Sequence, residues 1–172
     1  MAVLDIKKYP EGVLKNKAIA VDKNDRDLQC LIDDMVETMY AAAGIGLAAP
    51  QVGVGKRLIV VDIGDREDGG GLIVLFNPEI VVAEGLIDSE EGCLSVPQYI
   101  AHLKRAERVI VRGLDREENP VEIKADGLLA RALQHEIDHL DGVLILDRIS
   151  AIKREFYNKR YLKSLKESKV RA

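Results

Sequence analysis

At 172 residues, 47% apolar and 31% charged, the chain has the length and balance of one ordinary globular domain, which excludes a fibrous or disordered protein. No apolar run approaches the ~20 residues that cross a bilayer, and two cysteines are too few for a disulfide scaffold. The net charge of −4 is uneven: residues 153–172 carry eight Lys/Arg and two Glu, while the rest carries 17 bases and 27 acids.

In chain order, the opening residues offer no apolar stretch of a secretory signal, because Asp5, Lys7 and Lys8 interrupt it. Together with the cysteine usage this points to the cytoplasm. A first helix follows, with Leu28, Leu31, Ile32, Met35, Val36 and Met39 recurring at spacings of three and four. Asn24 or Asp25 caps it, and Cys30 falls on the opposite face as an ordinary surface thiol. Short strands are expected at 57–63, 72–76, 80–83, 108–112 and 121–124, rich in Val and Ile and separated by Gly, Asn-Pro and acidic turns. Residues 62–71 read as a hairpin loop. A second helix spans about 127–140, with Asp126 as cap and Asp141-Gly142 as its end. A further strand is expected at 143–146, and a last helix from Ser150 carries the basic tail. Strands clustered in the middle, with helices early and late, indicate an α+β fold in one domain, 1–172. Trp is absent, which argues against single-strand nucleic-acid binding by stacking.

The second helix holds His135-Glu136-Ile137-Asp138-His139. Residues i and i+4 lie one above the other on a helix, so both imidazoles can reach one metal ion. Glu136 adjoins the first ligand and is too close to bind as a third; it suits a general base acting on water. The chain has only three histidines, and the remaining one, His102, fits no pattern. A catalytic site of this kind takes three protein ligands and an open position. The extended protease motif would need a His where Ile145 stands, and Glu155 and Glu167 belong to the charged tail. Cys93, in the stretch Glu91-Gly92-Cys93-Leu94-Ser95-Val96-Pro97, is left; a thiolate with two imidazoles suits zinc or ferrous iron. A third segment, 44–53, is small and Gly-rich but is no phosphate loop, since no Lys-Ser/Thr follows its glycines. It reads as helix C-cap glycines and a turn, or as a place where substrate backbone approaches closely, with Gln51 donating its amide to a developing oxyanion.

Together these segments resemble the peptide deformylase family, marked in order by G-I-G-L-A-A-x-Q, E-G-C-L-S and Q-H-E-x-D-H-L. They stand intact at 44–51, 91–95 and 134–140, and the resemblance runs from the opening residues to about 150. The charged helical end is similar to the bacterial class that finishes in a helix. The resemblance implies an α+β fold, with short, mostly antiparallel strands around a central helix bearing the histidines. It implies hydrolytic removal of the formyl group from the initiator formyl-methionine of nascent polypeptides, releasing formate. It implies that Cys93, His135 and His139 bind one divalent ion, natively Fe2+, with Zn2+, Ni2+ or Co2+ as alternatives. It further implies oxyanion contacts from Gln51 and the Leu94 N–H, and general-base action by Glu136. Ile45, Leu128 and Ala132 would line a methionine pocket, Gly46 would pair with the extended peptide, and Glu91 would brace the cysteine loop with Arg105. Arg131 fits the pattern as a structural residue. Family members often carry Gly and Arg at positions held here by Gln98 and Ile100, which alters the cleft rim.

Two rivals make different demands. A protease cutting internal bonds would not need Cys93, and an RNA- or ribosome-binding module would use only the tail. Tail and enzyme are compatible: deleting 153–172 is then expected to weaken ribosome docking while sparing short formyl peptides. Neither a membrane nor a DNA partner is expected.

Overall fold

The structure, a computed structural model, describes residues 1–64 and 71–171. Helix α1 (Arg26–Ala41) starts where the Asp25 carboxylate accepts the Leu28 N–H at 3.0 Å. Asn24 instead donates to the Arg116 carbonyl at 3.0 Å. The α1 side chains Leu28, Ile32, Met35 and Met39 are buried in one apolar cluster, as their spacing requires.

Among the described residues seven strands follow: β1 (Gly46–Ala48), β2 (Leu58–Val61), β3 (Ile73–Glu84), β4 (Ile87–Cys93), β5 (Val96–Arg105), β6 (Arg108–Leu114) and β7 (Pro120–Asp126). Helices α2 (Gly127–Leu140) and α3 (Ala151–Arg171) complete the chain. Five strands form an antiparallel sheet in the order β1-β2-β3-β6-β7, and β4 and β5 form a separate hairpin.

The sheet lies between two helices. Successive residues of a strand point to opposite faces. Thus Ile59 and Val61 of β2 join α2 side chains such as Leu133 and Ile137, while Leu58 and Val60 join Ile32 and Met35 of α1. Both faces of β2 are covered, so it is apolar at every position rather than at alternate ones. A third cluster packs the hairpin against the end of the chain, joining Val96 and Leu103 to Leu146 and Tyr157.

The structure departs from the expected elements at five places. The segment 44–53, read as cap glycines and a turn, holds strand β1 and a 3-10 turn, Ala49–Val52. The segments 72–76 and 80–83 are parts of one strand, β3, whose pairing with β6 shifts register around Asn77-Pro78. Asn77 takes a left-handed φ of 50°, which Asn tolerates, and its amide pairs with the Val21 backbone at 2.7 and 2.8 Å. The segment 143–146 is no strand; Ile145–Asp147 is a single 3-10 turn. The hairpin β4–β5 was not anticipated, because several of its buried positions hold small or polar residues, Ser89, Ala101 and Arg105, where a strand reading relies on large apolar ones. Asp126 precedes α2 but makes no side-chain cap. β2 and β3 do pair antiparallel; most of the expected loop between them, 65–70, lies outside the described residues.

Candidate active site

Two elements converge on one point. α2 crosses the sheet and presents His135, Glu136 and His139 on consecutive turns. The β4–β5 hairpin ends beside it, with Cys93 paired to Val96 across the two-residue turn Leu94–Ser95. Cys93 Sγ lies 3.3 Å from His139 Nε2, which lies 3.2 Å from His135 Nε2. All three ligand atoms fall within 4.8 Å of one another. Bonds of ~2.0–2.3 Å at tetrahedral angles put ligand atoms roughly 3.3–3.7 Å apart, so one thiolate and two imidazoles are spaced for a single transition-metal ion.

The ring orientations have a cause. His135 Nδ1 meets Glu91 Oε1 at 2.9 Å, which turns Nε2 toward Cys93. Arg105, 3% exposed, grips both Glu91 oxygens at 2.8 Å and reaches Asp138 Oδ2 at 2.7 Å. Arg148 closes the far side of Asp138 at 2.5 and 2.6 Å. Burial alone would raise the Glu91 pKa; Arg105 and then His135 overcome that and hold it well below the carboxylate range. Burial, then the charges of His135 and Arg105, hold His139 well below its ordinary value.

Glu136 is the outlier. It is 5% exposed, and its Oε2 is buried with no hydrogen-bond partner among the described residues. Burial pushes its pKa up to about 7, against the opposing charge of His135. Its carboxylate rests on Gly46: a Cβ there would stand 2.4 Å from Oε1. Gly46 is therefore the floor on which the carboxylate lies. Gln51, 2% exposed, accepts the Ala48 N–H on Oε1 at 2.9 Å. That fixes its amide, so Nε2 donates to Ser95 Oγ at 3.1 Å and lies 3.8 Å from Cys93 Sγ.

A cavity of about 540 Å³ opens over these groups. Ile45, Leu94, Leu128 and Ala132 line it, as do Gln98 and Ile100 at the rim.

A family model for polypeptide deformylase matches residues 3–155. The chain belongs to that family. A peptide deformylase of Thermodesulfovibrio yellowstonii is 64% identical over 161 residues, 94% of this chain and 98% of that one. One from Syntrophobacter fumaroxidans is 54% identical over 168 residues, covering 98% and 99%. The crystal structure of a peptide deformylase from Legionella pneumophila has a TM-score of 0.90 at 47% identity, over 99% of both chains. As a deformylase the chain is a metal-dependent hydrolase that removes the N-formyl group from nascent peptides.

Every residue singled out in the three deformylase motifs meets at this one cleft, with Glu91 and Arg105 paired as expected. His102 stays exposed on β5, away from it. Arg131, expected to be structural, lines the cavity, and its Nε is buried without a partner among the described residues. Sequence reasoning missed Asp138 and Arg148. The available signal was an acidic residue beside a ligand on a buried helix, which needs a counter-charge. Gln98 adopts a left-handed φ of 58°, the conformation that favours the glycine often found at that position.

Proposed function

We propose that Cys93, His135 and His139 hold one divalent ion, natively Fe2+, and that the cleft above them hydrolyses the formyl-methionyl end of new chains. The converging thiolate and imidazoles, beside a buried carboxylate with one unpartnered oxygen, carry this reading. The ion supplies Lewis acidity and brings the pKa of water toward neutrality. Glu136 takes a proton from the water that attacks the formyl carbon. The C–N bond then breaks, Glu136 returns the proton to the leaving amine, and formate departs. Gln51, its amide nitrogen facing Cys93, and the Leu94 N–H donate to the oxygen that gains charge. Ile45, Leu128 and Ala132 form the apolar wall for an unbranched methionine side chain, and Gly46 leaves the peptide backbone room beside Glu136. Glu91 acts through His135, since both its oxygens are already engaged.

The whole chain acts as one domain in the cytoplasm, with the outward lysines of α3 docking it on the ribosome near emerging substrates. The test is formate release from formyl-Met-Ala-Ser by protein purified anaerobically with Fe2+, beside a Glu136→Ala control. Rapid release that vanishes in the control, with metal retained, supports the assignment. Turnover that survives in Glu136→Ala would remove the carboxylate from the reaction. A Cys93→Ala protein that kept its metal would favour the protease alternative.

A further inference from the structure

A second cavity, about 320 Å³, lies between the start of β5 and α3. Gln98 and Tyr99 line both this groove and the active-site cleft, so the two adjoin along one strand segment. The far wall is one face of α3: Lys153, Phe156, Tyr157 and Arg160 recur at helical spacing and all border the groove. Tyr157 anchors that face, its hydroxyl donating to the Pro97 carbonyl at 3.0 Å. Phe156 stands 66% exposed beside it. Neither the Lys153 ammonium nor the Arg160 guanidinium has a carboxylate partner among the described residues. Lys159, on another face, is paired with Glu155 at 3.1 Å.

We propose that this groove extends the substrate cleft and holds an acidic stretch of the nascent peptide beyond its first residues, a reading that rests on the peptide lying in the cleft as above. Two unpaired cations flank an aromatic wall, which suits carboxylate side chains carried on a backbone. An extended chain covers ~3.3–3.6 Å per residue, so a few residues past the formyl-methionine suffice to cross the Gln98–Tyr99 segment. The wall shared with the cleft favours the substrate over an RNA phosphate backbone as occupant. Lys166 and Lys169 lie on the opposite side of α3 and are free to meet a polyanion independently.

The test uses the metal-loaded enzyme and peptides that begin formyl-Met-Ala-Ser. Each then carries a Glu-Glu, Ser-Ser or Lys-Lys pair, placed in turn at successive positions from the fourth to the eighth. At low salt, kcat/KM for Glu-Glu is expected to exceed that for Lys-Lys by about 5-fold or more at one placement, and the gap closes as salt rises. Lys153→Glu with Arg160→Glu should invert that ratio. Lys166→Glu with Lys169→Glu, equal in charge change but on the opposite side of the helix, should preserve it. Equal kcat/KM for all three pairs at every placement overturns the proposal, as does a preference that survives Lys153→Glu/Arg160→Glu. If that double variant loses ribosomal RNA affinity while the peptide ratio stays put, the groove belongs to RNA and the proposal fails. Failure to turn over formyl-Met-Ala-Ser itself would instead count against the reading of the cleft.

Discussion

The contact between Gly46 and Glu136 joins residues from two distant motifs in a single steric fact. A methyl group at position 46 would stand 2.4 Å from Glu136 Oε1, so the carboxylate must rotate or withdraw. Gly46→Ala is therefore expected to cut kcat by about 10²-fold or more, the range lost when a positioned acid–base group is displaced. Metal content should stay at that of the parent, because the atoms nearest a Cβ at position 46 all belong to Glu136. Steady-state kinetics with metal analysis checks this, and an unchanged kcat would mean the carboxylate works from another position. The meeting of His135 and His139 was legible in the sequence because helical spacing alone brings them together, whereas Cys93 followed from elimination and the family motif. The role of Gly46 was not legible, since it depends on how closely α2 crosses β1.

At the level of elements, the hairpin and α2 are held together by buried charge. Arg105 satisfies Glu91 on its own hairpin and Asp138 on α2. Removing one partner of such a set costs about 3–5 kcal/mol, because the remaining charges stay buried and unpaired. Arg105→Met should lose that much in urea unfolding. It should also weaken metal binding by about 10–100-fold, since Glu91 no longer holds His135 firmly. Arg148→Ala should cost far less, about 1 kcal/mol or below, because Arg148 is 40% exposed where Arg105 is buried, and Asp138 keeps Arg105. Equal losses in the two variants would refute this ordering. The pairing of Glu91 with Arg105 was expected from the family motif. The hairpin that carries it was not, because buried positions in Ile87–Cys93 and Val96–Arg105 are filled by Ser89, Ala101 and Arg105 rather than by large apolar residues. Residues 143–146 misled in the opposite sense: a four-residue apolar run fits a strand or a buried turn equally well, and periodicity cannot choose between them.

For the molecule as a whole, α3 divides in two. Composition marks residues 153–172 as one basic tail, yet Tyr157 is only 7% exposed. Its ring stacks on Tyr161 at 5.4 Å and meets Tyr99 edge-on at 5.1 Å, within the cluster that includes Cys93 and Val96. Deleting 153–172 therefore does more than remove charge. It strips a buried aromatic from the wall behind a proposed metal ligand, at a cost of about 3–5 kcal/mol, the range for truncating a buried large aromatic. Turnover of formyl-Met-Ala-Ser should fall with it, against the sequence-based expectation that short peptides are spared. A chain ending after Tyr161 keeps the aromatic cluster and loses only mostly exposed residues, among them Lys163, Lys166, Lys169 and Arg171. Its thermal midpoint and formate release should match the full chain. Its co-sedimentation with ribosomes should drop, with a shallower dependence on salt, as four fewer cations meet phosphate. Undiminished ribosome binding by that truncation would place any docking surface elsewhere on the chain. A fall in turnover without a fall in stability would mean that the end of α3 serves the cleft directly.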